Sequence, residues 1–336
     1  MGGWLSDAWP PLAMGLIAGA VMARAGLCFN RSLRRAVFDR RPTLLRAFAI
    51  AVAVQLLLLP LLIAAGVGPL ERSARTGGPA LLPIAQLGGG LAFGAGMALA
   101  GGCVTGMLWK AGTGAAALAI AIAGFAAGEL LIRGAGSDLI TALDDAARPG
   151  TSSLPALLGA GYATAAIPLG VLTLAWLLAK RRDGVAAGLA LGAVAAAAWV
   201  AADAAGYGYG LGFVGAADGA RAALEQGRRL PFQLFLALGV LAGAALAGPR
   251  RASMPDTARA ARALSGGLLM GVGGSVAHGC NIGHGITGVP LLSLGSLLAV
   301  SSMAAGALAT WRVVLAGHPR LRGSDRVGAP GARVSV

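Results

Sequence analysis

Nine apolar runs divide this chain, at 11–26, 43–65, 80–100, 115–132, 153–179, 185–204, 231–248, 264–277 and 290–316. A helix needs about 20 apolar residues to cross a bilayer, and several of these runs reach that length. No soluble core of 336 residues could hide them all. Hydrophobic residues make 57% of the chain and charged ones only 12%, so the expected class is an all-α polytopic membrane protein. The shorter runs fit neighbours that dip into the membrane and return. The chain opens MGGWLSD, with an acidic residue and no basic stretch, so the first run is expected to be a retained span.

The net charge of +14 raises the question of nucleic acid. The basic residues argue against it, because they cluster between apolar runs and not on an aromatic-interleaved face. Their placement is that of the positive-inside rule. With the N-terminus outside, the connections 31–46, 180–184, 249–263 and 317–336 face inward and carry 17 Lys and Arg. The outward connections 66–79, 133–152 and 205–230 carry only 7, together with Glu71, Asp138, Asp144, Asp145, Asp218 and Glu225. The expectation is a multi-pass inner-membrane protein with its N-terminus outside and its C-terminus in the cytoplasm.

An internal repeat refines that topology. GAGMALAGGCVTG (94–106) aligns with GVGGSVAHGCNIG (271–283) at an offset of 177, and Gly94/Gly271, Gly96/Gly273, Gly102/Gly279, Cys103/Cys280 and Gly106/Gly283 coincide. The chain holds three cysteines, and two of them fall on this one alignment. Gly26-Leu27-Cys28-Phe29 matches Gly210-Leu211-Gly212-Phe213 at an offset of 184, which gives Cys28 a glycine as its partner. The span before Cys103 runs inward and that before Cys280 outward, so the repeat is expected to be inverted. The divisions are a first repeat at 1–152, a connecting span at 153–184, a second repeat at 185–317 and a basic cytoplasmic tail at 318–336. Four glycine-bearing stretches, 26–38, 101–112, 206–218 and 278–288, are expected to be re-entrant or broken helices. Such backbone is tolerated at membrane depth only where it is buried in protein or lines a cavity.

These stretches carry the candidate chemistry. A buried cysteine alone packs as a small hydrophobe, but symmetry and flanking glycines favour a functional reading here. A thiol is a weak, polarizable donor, suited to a sulfur or selenium atom that must bind and then leave. Gly102, Gly106, Gly279 and Gly283 would expose backbone N–H groups beside Cys103 and Cys280, and a short helix after each cysteine would aim its positive end at an anion. His278, Cys280 and His284 have the composition of a metal cluster. Cys103 has no matching histidine, so a loop-orienting role for His284 is preferred and no metal or cofactor is expected. Lys110 either attracts the anion or snorkels to the interface, and Arg24 is read as a snorkeler. Glu129 and Asp203 fall near the outer ends of their spans and are expected to be solvated. No Walker A pattern supports direct ATP coupling, and no Cys-x-x-Cys pair supports a thiol oxidoreductase.

Three segments, RAGLCFNRSLRRAVF (24–38), GMALAGGCVTGMLWKAGTG (96–114) and AHGCNIGHGITGVPLLSLGSLLA (277–299), resemble the YeeE/YedE family of sulfur-transport membrane proteins. The resemblance implies an hourglass-like bundle of inverted halves with re-entrant helices meeting at the midplane. It implies import of thiosulfate, or of a related selenium species, and puts Cys28, Cys103 and Cys280 on the substrate path as thiol contacts. The expected partners are that anion, the lipid bilayer and a cytoplasmic sulfur-accepting protein, with no nucleic acid. A carrier is expected and not an enzyme; a membrane persulfide relay is the alternative.

Overall fold

The computed structural model describes residues 3–147, 149–180, 183–248 and 252–317. The expected basic tail at 318–336, and the arginines at 181–182 and 250–251, lie outside the described residues. No β-strand occurs among the described residues, only isolated bridges at Ala115/Ser253 and Ser153/Ser293.

The first half contains α1 (Gly3–Ala25), α2 (Phe29–Val37), α3 (Thr43–Ala64), α4 (Gly68–Thr76), α5 (Pro83–Ala100), α6 (Val104–Gly112), α7 (Ala116–Ala135) and α8 (Ser137–Asp145). A single turn, α9 (Leu154–Leu157), leads into α10 (Tyr162–Lys180). The second half contains α11 (Val185–Ala204), α12 (Ala216–Gln226), α13 (Phe232–Ala247), α14 (Thr257–Val276), a π-helical turn (Gly283–Gly288) and α15 (Leu294–Gly317).

Each apolar run of the sequence becomes a helix, and three of the differences in bounds have local causes. The run at 153–179 breaks after α9, because Gly159 takes a left-handed φ of 63°. The last run starts at Leu294 and not at 290, since Leu292 is also left-handed (φ 58°) and Leu154 N donates to Leu292 O. The eighth starts earlier than expected, because Asp256 caps α14 by accepting from Arg259 N at 2.7 Å.

Seven stretches are long and apolar enough to cross a membrane: Ala8–Val37, Thr43–Ala64, Pro83–Gly112, Ala116–Ala135, Tyr162–Lys180, Val185–Ala204 and Leu294–Val313. Two of the nine expected spans fall outside that set. α13 has 16 residues, about 24 Å at 1.5 Å per residue. α14 opens with a polar turn that carries Arg259 and Arg262. The protein is thus an all-helical, multi-pass membrane protein.

Packing is set by small residues. Helices in lipid gain nothing from burying oil against oil, so close backbone approach through glycine becomes the main source of contact. α5 lies between α14 and α15, and α14 lies between α5 and α7. A Cβ added to Gly96 would sit 2.7 Å from Met270 N, and one added to Gly266 would sit 2.7 Å from Gly96 O. α1 meets α13 in the same way, with a Cβ on Gly15 placed 2.8 Å from Gly239 Cα. Elsewhere α1 packs on α13 and α11, α11 also on α3, α14 on α7 and α5, and α15 on α5.

Gly94 gives this packing a measurable test. A Cβ there would lie 2.8 Å from Ala307 N and closer still to Met303 O, both backbone of α15. Gly94→Val is expected to cost about 3 kcal/mol by forcing α5 and α15 apart. Thermal unfolding in detergent should show a lower midpoint than wild type. Gly88→Ala, on the same helix with nothing within 4 Å of the added Cβ, should leave the midpoint unchanged.

Candidate functional site

All three cysteines stand at the same kind of place. Cys28 is the N-cap of α2 and Cys103 the N-cap of α6, both with extended backbone. Cys280 directly precedes the helical residues 281–288. Each cysteine carbonyl accepts the first helical bond that follows it: Ser32 N to Cys28 O at 2.8 Å, Met107 N to Cys103 O at 2.7 Å and His284 N to Cys280 O at 2.9 Å. The N–H groups between each cysteine and that first donor have no carbonyl of their own helix to bond, so each thiol sits at an electropositive end. All three are fully buried and belong to one core cluster.

The sequence did not foretell how the thiols pair. Cys28 Sγ lies 3.8 Å from Cys103 Sγ, and Cys103 Sγ lies 3.4 Å from Thr105 Oγ1. Trp109 Nε1 donates to Leu27 O at 2.7 Å and locks α6 onto the turn before Cys28. Gly106 makes the approach possible, since a Cβ on it would lie 2.5 Å from Cys28 Sγ and 3.3 Å from Cys103 Sγ.

Around Cys280 a single thiol stands beside open space. Gly212 lies across from it, and a Cβ on Gly283 would meet Leu211 O at 3.8 Å and Cys280 Sγ and Gly212 Cα at 3.9 Å. The space opens into a cavity of about 80 Å³ lined by Tyr207, Tyr209, Gly212, His278, Cys280 and His284. One water needs roughly 10–15 Å³ by this kind of measure, so the cavity suits a small anion or several waters. Gly279 and Gly283 also line it. Gly102 is buried next to Cys103.

Neighbouring side chains hold the cavity open. Tyr209 donates to Gly283 O at 2.8 Å, and Thr287 donates to Leu211 O at 2.7 Å. Tyr207 stacks on Phe232 with centroids 4.6 Å apart. His284 is buried, with Nε2 2.9 Å from Ala277 O and Nδ1 3.1 Å from Ser296 Oγ. Its ring ties the Cys280 turn to α14 and α15.

His278 faces Asp144 of α8, with Nε2 2.8 Å from Oδ1. It keeps a left-handed φ of 59° at the position where the first half has Gly101, φ 78°. That conformation costs a side-chain-bearing residue roughly 1–2 kcal/mol. Lys110 is half-exposed, and its Nζ reaches back to Gly101 O at 3.3 Å, in the turn that precedes Cys103.

Two residues stand differently from the sequence expectation or were missed by it. Glu129, expected to be solvated, is fully buried because α12 folds over that end of α7 and Asp218 N donates to Glu129 Oε1 at 3.1 Å. Asn281, directly after Cys280, is buried and neither side-chain amide atom has a partner among the described residues. Its place in the first turn after a cysteine was the only sequence signal. Asp203 is exposed, as read from the sequence, and Arg24 is exposed at the end of α1.

Glycine-packed membrane helices that bury three cysteine-headed short helices define a polytopic membrane protein with a thiol-bearing interior, and comparison with known families says which kind. The sulphur transport family matches residues 24–309, and the chain belongs to it. Curated relatives include the thiosulfate transporter TsuA of Spirochaeta thermophila, 27% identical over 316 residues that cover 87% of this chain and 94% of the relative. The thiosulfate transporter TsuA of Escherichia coli K12 is 28% identical over 339 residues, covering 90% of this chain and 93% of the relative.

Proposed function

We propose that this chain imports thiosulfate, or a closely similar sulfur-containing anion, across the inner membrane by a path that passes Cys280, then Cys103 and Cys28. The observation that carries the reading is the placement of all three buried thiols at the N-termini of short helices. There, the positive ends of the short helices attract the anion and a polarizable thiol contacts its terminal sulfur. Both interactions are weak enough to release the ion, which conduction requires. The names of the two relatives point to the same substrate.

Lys110, Gly102, Gly106, Gly279, Gly283 and His284 complete the proposed path. The glycines let backbone and sulfur approach, and His284 holds the Cys280 turn in place. The packing of α1 on α13 and of α11 on α3 supports an inverted repeat, with 1–152 and 185–317 as the halves, 153–184 as the connector and nine spans in all. The excess of Lys and Arg on one set of connections supports an outer N-terminus and a cytoplasmic C-terminus. The anion would then meet the Cys280 cavity first, since Pro79, Tyr207 and Tyr209 of the outer connections line it. A cytoplasmic sulfur acceptor would receive the anion past Cys28.

The test is uptake of thiosulfate labelled at its terminal sulfur into proteoliposomes. Intact labelled thiosulfate accumulating in the lumen is the expected result. Folded wild-type protein that takes up none would overturn the reading. The close Cys28–Cys103 pair favours one rival, a relay in which a thiolate attacks the terminal sulfur, the S–S bond breaks and sulfite leaves. That chemistry would yield a trapped cysteine persulfide and free sulfite in place of intact substrate. Labelled selenium anions offered in competition test the same path for the heavier chalcogen.

A further inference from the structure

We infer that Glu129 binds a proton that this carrier moves together with its anion. The inference rests on the transport reading above. Among the described residues, Glu129 is the one acidic side chain fully shielded from solvent inside a membrane-spanning helix. Its Oε2 has no hydrogen-bond partner among them. An ionisable group kept at membrane depth with an oxygen unspent is a functional group by default.

Its position links it to the substrate cavity. The N-cap of α12 is Gly215, which has no side chain to offer the first N–H groups of that helix. Glu129 supplies the cap from α7, its Oε1 accepting from Asp218 N at 3.1 Å. The residues that run into this cap, Gly212, Phe213 and Val214, form a wall of the Cys280 cavity. Three of the four corresponding stretches lead with a cysteine, and the fourth leads into a helix end held by a carboxylate. The repeat gives Glu129 no twin, because its counterpart at the offset of 177 is Gly306.

The charges around Glu129 come from each neighbouring element. Arg133 lies one turn on along α7 and donates to Ser275 of α14 at 3.3 Å. On α12, Asp218 and Arg221 pair at 2.8 Å. α14 meets this turn through Gly271, where an added Cβ would lie 2.8 Å from Glu129 N. α8 carries Asp138, Asp144 and Asp145, and α6 carries Lys110.

Coupling follows from charge. An ionised Glu129 binds the end of α12 by a charge-assisted hydrogen bond and adds a negative charge behind the wall of an anion cavity. A proton on Oε2 removes that charge and loosens the cap. Proton and anion therefore favour each other's binding, and such a coupling is reciprocal.

The test uses proteoliposomes with a trapped pH-sensitive dye and labelled thiosulfate outside. Wild-type protein is expected to acidify the lumen as label enters, and an inward proton gradient should speed uptake by about fivefold or more. Glu129→Gln keeps an amide oxygen for Asp218 N, so it should fold and still take up label, without acidification and without response to the gradient. Glu129→Asp should retain both. Wild-type uptake without acidification, or a Glu129→Gln variant that acidifies like wild type, would overturn the inference and leave the transport reading standing. No uptake by folded wild-type protein would overturn both.

Discussion

Replacing Cys280 by alanine is expected to lower the rate of labelled thiosulfate uptake on the order of tenfold to a hundredfold, while the protein stays folded. A hydrogen bond to a charged group is worth about 1.5–3 kcal/mol, and each 1.4 kcal/mol is about a factor of ten. Cys280 is the one thiol that lines the cavity, so no neighbour can take its place. Its Sγ also accepts weakly from Gly283 N at 3.5 Å, a contact whose loss should hardly move stability. Uptake in proteoliposomes, paired with thermal unfolding of the same preparations, separates the two effects. Cys280→Ser should keep part of the rate, because a hydroxyl still donates but lacks the polarizability of sulfur. Full transport by both Cys280→Ala and Cys103→Ala would sink the idea of a thiol-lined path.

A larger structural effect is expected at Gly106. Valine there would drive a branched side chain between two sulfurs that already approach to 3.8 Å, with its Cβ 2.5 Å from Cys28 Sγ. The heads of α2 and α6 would have to part, and Trp109 would be pulled from Leu27 O. The expected outcome is loss of measurable uptake and a stability cost of about 2–3 kcal/mol. The counterpart substitution behaves differently: on Gly283 an added Cβ meets nothing closer than 3.8 Å. Gly283→Ala should fold like wild type and slow uptake only by narrowing the cavity. Unfolding midpoints and uptake rates for both variants check the contrast. Equal stability of Gly106→Val and wild type would mean that the two cysteine heads do not meet as described.

The sequence made the helices and the cysteine positions legible, for a physical reason. Apolar runs and glycine spacing are local properties, and a short helix after each cysteine follows from a few residues of pattern. What stayed hidden depends on distant partners. Nothing in the segments around Cys28 and Cys103 says that residues 75 apart place their sulfurs side by side. Glu129 reads as solvated because it nears the end of an apolar run, and only the docking of α12 buries it. The fourth re-entrant stretch was expected at 206–218, yet its helix starts at Ala216, since the glycines at 206, 208, 210, 212 and 215 give no helix a foothold. The cavity occupies the room they leave. His278 looked like a metal ligand on composition, and its tie to Asp144 crosses from a connection that carries no pattern at all.

The two cysteine stations differ, one a touching pair of thiols and the other a lone thiol beside open space. That difference cannot by itself make the passage one-way. Detailed balance forces forward and backward crossings through any static lining to cancel at equal electrochemical potential, however unlike its stations are. What unequal stations would control is the loading level on each face. On the transport reading proposed above, direction would therefore be dictated from elsewhere, by protons or by an acceptor that keeps the far side empty.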